Sequence, residues 1–102
     1  MDLIDYRALI DETDDRILEL FRERMAIALK IAQHKKEHGL GVTDAGREKA
    51  KLADVREKAG EELGEYAEKL FGTLMEVSRA YQNNAMNPAV TATEGAQATK
   101  EG

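Results

Sequence analysis

From Leu3 to Glu37 the chain contains no Gly and no Pro and is rich in Leu, Ile, Ala, Glu, Arg and Lys. These residues keep their side-chain freedom in a helix. The segment therefore predicts a single helix of about 35 residues, roughly 50 Å long at 1.5 Å per residue. Gly39 is suited to the left-handed position that closes such a helix. In a chain of 102 residues this one element constrains all the rest, because little sequence is left to cover it. Asp44 is a good N-cap for a second helix from about Ala45 to Ala59, with Leu52, Val55 and Ala59 on one stripe. Gly60 and Gly64 loosen the next junction. A third helix is expected from about Glu65 to Asn84, with Ala67, Leu70, Leu74, Val77 and Tyr81 on its inner face. Asn87-Pro88 ends it. Residues 1–85 form the expected helical domain, and 86–102, small and polar, an expected disordered tail.

Two short helices cannot cover the apolar stripe of the long one. Apolar area left over in this way is usually buried in a partner. The expected fold is all-α, one long helix and two shorter ones, in a homodimer whose long helices pair.

Composition removes several function classes. The net charge of −5 argues against nucleic acid, which needs a basic face. With no Cys there are no disulfides and no thiolate metal sites, which fits a reducing, cytoplasmic setting. His34 and His38 are the only histidines and have no third ligand nearby, so no metal site is expected. No apolar run reaches the roughly 20 residues that span a bilayer, and the first residues, Met1 to Asp5, lack a signal-peptide pattern.

The long helix carries a coiled-coil seam spaced by three and four: Leu3, Arg7, Ile10, Asp14, Ile17, Phe21, then Arg24, Ala28, Ile31 and Lys35. Arg7, Asp14, Arg24 and Lys35 interrupt it with charge. Burying an unpaired charge is expensive. Inward cations therefore need either carboxylates from neighbouring helices or an anionic ligand. Arg24 and Lys35 are close to three turns apart on one face, about 16 Å along the axis. Two long side chains can converge on a small molecule across that gap. Arg7 lies about 25 Å from Arg24, too far to share its ligand. An antiparallel partner would bring its own Arg7 to the site, giving two equivalent sites per dimer. Arg47 and Glu48 open the second helix, and Ser78 and Gln82 are an i, i+4 pair on the third. Such a cationic pocket suits a dianion with two carboxylates, which Arg binds in bidentate fashion.

These residues resemble a known family. Tyr6-Arg7-Ala8-Leu9-Ile10-Asp11, Glu23-Arg24, Ala32-Gln33-His34-Lys35, Val42-Thr43-Asp44 with Arg47-Glu48, and then Phe71, Ser78-Arg79 and Gln82 match the all-α class of chorismate mutases, which are intertwined three-helix dimers. The resemblance covers about residues 3 to 84. It implies that Arg24 and the other chain's Arg7 bind the substrate carboxylates, and that Lys35 binds the ether oxygen and a carboxylate. It makes Gln82 the second donor to that oxygen. Glu48 and the Asp44 backbone would hold the ring hydroxyl, Ser78 would contact a carboxylate, and Arg47 would complete the cationic wall. Lys35, Gln82 and Arg24 are then the catalytic set. The implied reaction is the Claisen rearrangement of chorismate to prephenate, a step of phenylalanine and tyrosine biosynthesis, and it uses no cofactor.

Two alternatives stand beside this reading. An isochorismate–pyruvate lyase on the same fold would use a similar pocket. A helical dimerisation module without catalysis would pair its cations internally, with Glu48 or Asp14 as the available carboxylates. Asp44 alone reads first as a cap, and Phe21, Met25 and Phe71 read as core.

Overall fold

The computed structural model describes residues 1–41 and 43–87. Val42 of the loop and the tail from Pro88 lie outside the described residues. Among the described residues all regular structure is helical: α1 (Leu3–Glu37) and α2 (Ala45–Met86).

Local chemistry sets the ends of α1. Asp2 accepts from the Asp5 main-chain N–H at 3.1 Å, and Asp5 accepts from that of Asp2 at 3.0 Å. This reciprocal capping box satisfies two otherwise orphan donors. At the other end Leu40 N–H donates to the Lys35 carbonyl at 2.7 Å and Gly39 N–H to that of Lys36 at 3.2 Å. This Schellman pattern needs a left-handed residue, and Gly39 supplies it at φ +68°.

Asp44 caps α2, its carboxylate accepting from Arg47 N–H at 3.0 Å. Gly60, at φ +87° and ψ 172°, is non-helical inside α2 and divides it into a proximal and a distal arm. The distal arm resumes directly after Gly60, not near Glu65 as the sequence predicts. Gly64 is helical and buried. A Cβ there would lie 3.1 Å from both Cγ and the main-chain oxygen of Arg56. Its role is close approach of the two arms rather than a break. The arms fold back on each other, with Arg56 and Glu68 paired at 2.5 Å beside the bend. The distal arm ends at Met86, and Asn87 caps it through Asn83.

α1 meets the distal arm only over its C-terminal half. Ala28 and Ala32 of α1 are buried there, as are Met75, Ser78 and Gln82 of the distal arm. Of the expected inner face of the third helix, Ala67 and Leu74 are half-buried, while Leu70, Val77 and Tyr81 are 58, 40 and 42 % exposed. The face used within the chain runs one residue further on, through Phe71, Met75, Ser78 and Gln82, and is half polar. Part of the apolar face points outward. Every residue from Met1 to Leu20 is exposed, so the front half of the α1 seam is left largely uncovered by its own chain. No large side chain is fully buried among the described residues, and the chain spans 52 × 37 × 19 Å.

Candidate active site

Where α1 and the two arms of α2 converge they border an open cavity of about 320 Å³. Of the eight residues expected to bind a ligand, seven line it. Arg24 and Lys35 come from α1, Asp44, Arg47 and Glu48 from the start of α2, and Ser78 and Gln82 from the distal arm. Ile27, Ala28, Ile31 and Met75 supply apolar wall. Arg7 does not reach the cavity. It stands on the exposed front half of α1, far from Arg24 along the same helix.

Helix packing explains this convergence. Ala28 and Ala32 carry almost no side chain, so α1 and the distal arm approach closely. Gln82 Nε2 then donates to the Ala28 carbonyl at 2.8 Å. An amide nitrogen has two hydrogens, which leaves the second for the cavity. Ser78 Oγ donates to the Leu74 carbonyl at 2.8 Å, one turn back, with Met25 Sδ at 3.6 Å. Its lone pairs accept from Arg24 Nη1 at 2.6 Å. Ser78 therefore holds the guanidinium in place. Arg24 has no carboxylate partner among the described residues, and four of its five N–H donors remain.

The charge around the cavity is strongly asymmetric. Arg24, Lys35, Arg47, Lys51 and Arg79 face Asp44 and Glu48, an excess of three positive charges in a chain of net charge −5. Asp44 is committed to the helix cap, and Glu48 is ion-paired with Arg79. The internal pairing of Arg24 with Glu48 or Asp14, as a purely structural module would require, is absent. The N-terminus of α2 also borders the cavity and favours an anion there.

Lys51 and Arg79 line the cavity although sequence reasoning gave them no part in it. Arg79 sits one turn after Met75 and one turn before Gln82, and that i, i+3 relation was the available signal. Lys51 is one turn past Arg47. Its Nζ lies 3.8 Å from Asp54 Oδ2. His34 and His38 stack at 4.2 Å between ring centroids, and no metal-holding cluster of three or more His, Cys, Asp or Glu occurs among the described residues.

The family model for chorismate mutase type II matches residues 6–83. The chain belongs to the chorismate mutase type II family. A curated relative, the chorismate mutase of Methanocaldococcus jannaschii, is 33 % identical over 85 residues, 78 % of this chain and 83 % of the relative. No solved structure matches significantly. The chain is thus an isomerase of the chorismate mutase family, and neither comparison favours the lyase or the non-catalytic reading. None of the helices among the described residues is long and apolar enough to cross a membrane.

Proposed function

We propose that the cavity is the chorismate site, and that a second copy of the chain completes it by supplying Arg7. One observation carries this reading. Residues from three separate stretches of sequence converge on one cavity whose lining is cationic and whose Arg24 lacks a carboxylate partner among the described residues.

The rearrangement needs no nucleophile and no proton transfer. One C–O bond breaks as one C–C bond forms within the substrate. The site must hold an extended dianion in a compact conformer, which is catalysis by orientation. It must also stabilise negative charge as it develops on the ether oxygen. Arg24, held by Ser78, takes one carboxylate, and the partner copy's Arg7 takes the other. Lys35 and the second N–H of Gln82 donate to the ether oxygen. Such contacts strengthen as charge develops, so they favour the transition state over the substrate. Glu48 accepts from the ring hydroxyl together with the Asp44 backbone, and Arg47 adds positive potential. Since the Ser78 hydrogen goes to Leu74, Ser78 acts on the carboxylate through Arg24.

The exposed surface supports the homodimer. Ile4, Leu3, Ile10 and Ile17 are 76, 61, 60 and 57 % exposed along the stretch of α1 that carries Arg7. An intertwined pair covers this stripe and brings each Arg7 to the other copy's cavity. A cytoplasmic location suits a chain without Cys.

The test is turnover of chorismate by the purified chain, followed as loss of chorismate absorbance and appearance of prephenate. Incubation with isochorismate should give no salicylate or pyruvate. Absence of prephenate sinks the reading, and salicylate with pyruvate would move it to the lyase.

A further inference from the structure

We propose that Arg79 is a positioning residue for Glu48, cancelling its charge so that an acceptor of hydrogen bonds can stand in the wall of a site built for a dianion. The proposal rests on the reading of the cavity given above.

Glu48 lies in the first turn of α2 and Arg79 near its end, 31 residues later, and Arg79 Nη1 donates to Glu48 Oε1. Both side chains are about two-thirds or more withdrawn from solvent, at 32 and 26 % exposure, and both line the cavity. The other Glu48 oxygen has no partner among the described residues. A carboxylate with one oxygen occupied keeps free lone pairs on the second, so Glu48 remains able to accept from a hydroxyl.

A bare carboxylate in this wall would conflict with the ligand. Its lone pairs suit a hydroxyl, but its charge repels two carboxylates held in the same cavity, and partial burial strengthens that repulsion. Arg79 removes the conflict. Its cation neutralises Glu48 locally, and the bond from Nη1 to Oε1 restrains a side chain with three free torsions. Arg79 is therefore distinct from Arg24 and Arg47, whose guanidinium groups have no carboxylate partner among the described residues and stay available to anions.

The structure supplies its own control. Arg56 and Glu68 join the same two arms of α2 at 2.5 Å, outside this cavity. If Glu48–Arg79 were only a clasp, breaking either pair would have the same kind of effect.

The experiment compares the full-length protein with Arg79→Met, Glu48→Gln, the double variant and Arg56→Met, using chorismate kinetics and thermal unfolding. Arg79→Met should raise KM about tenfold with a smaller change in kcat, as like charge does when uncovered. In the Glu48→Gln background the same substitution should change KM by less than about twofold, since the charge to be cancelled is gone. Raising salt should reverse part of the Arg79→Met defect by screening. Arg56→Met should lower the midpoint of unfolding and leave KM unchanged.

An equal KM increase from Arg79→Met in both backgrounds overturns the proposal. Should Arg79→Met not fold, Arg79→Lys and Arg79→Gln serve instead, one keeping the cation and one not. Equal KM for those two also overturns it. A Glu48→Gln protein with wild-type kinetics would count against the underlying reading of the cavity itself.

Discussion

The side-chain amide of Gln82 is hydrogen-bonded to the main-chain carbonyl of Ala28 at 2.8 Å, so one residue both seals the seam between α1 and the distal arm and faces the cavity. The two roles separate in Gln82→Leu. Loss of one neutral hydrogen bond should lower stability by about 1 kcal/mol. Loss of a donor to the developing oxyanion should lower kcat by about 10²–10³. Steady-state kinetics and thermal unfolding on the same sample check both. A stability loss with unchanged kcat would leave Gln82 a seam residue only.

Arg7 and Arg24 are too far apart on one helix to serve one ligand. Arg7→Ala and Arg24→Ala proteins should each be inactive. After unfolding, mixing in equal amounts and refolding, about a quarter of wild-type activity should return, since half of the symmetric pairs are mixed and each has one intact site of two. No recovery would exclude a shared Arg7.

In the proposed dimer, the exposed stripe on α1 makes folding depend on association. The unfolding midpoint should rise with protein concentration. Ile17→Asp, at a position 57 % exposed in the single chain, should give monomers in sedimentation and lose most helical signal at low concentration. An Ile17→Asp protein that stays dimeric would place the interface elsewhere.

Gly64 leaves no room for a methyl group. Because a Cβ would meet the main-chain oxygen of Arg56 at 3.1 Å, the backbone itself must move. Gly64→Ala should destabilise by about 1–3 kcal/mol in urea unfolding, despite the better helix propensity of Ala. A gain in stability would mean that the arms part without strain.

Asp54 lies below its ordinary pKa chiefly because it accepts a hydrogen bond from Lys58, with the charges of Lys58 and Lys51 adding to the effect. The folded value is lowered, so the unfolded chain takes up the proton first as pH falls. The stabilisation is therefore complete at neutral pH and is lost on acidification below about pH 4. The Asp54 side chain is 42 % exposed, so the effect is small. The difference in unfolding midpoint between wild type and Asp54→Asn should be constant from pH 5 to 7 and vanish in strong acid.

Local signals were legible in the sequence. The span of α1, the left-handed Gly39, the Asp44 cap and a break at Gly60 all depend on neighbours within a few residues, and the helices follow them. Seven cavity residues were legible too: Arg24 and Lys35 as charges on an apolar seam, and Asp44, Arg47, Glu48, Ser78 and Gln82 through the family resemblance. What was not legible depends on which faces meet. Gly64 carries the same local signal as Gly60, and only the Arg56 backbone opposite tells them apart. Part of the apolar stripe of the distal arm, Leu70, Val77 and Tyr81, does not turn inward. Within one chain, the polar face of Ser78 and Gln82 does so instead. Arg79 was hidden for the same reason, since nothing near it in sequence reveals Glu48 across the cavity.

If two copies pair as proposed, the bare front half of α1 also bears on the interval between synthesis and pairing. A lone chain is an adhesive rod, with Leu3, Ile10 and Ile17 facing water. Collisions in the wrong register would start aggregates as readily as dimers. The net charge of −5 acts at that stage, because like-charged rods repel at separations up to a Debye length of about 8 Å. Only an approach that aligns the stripes gains enough contact to overcome it. The acidic surface is then a filter on encounters, set against a ligand site of the opposite sign.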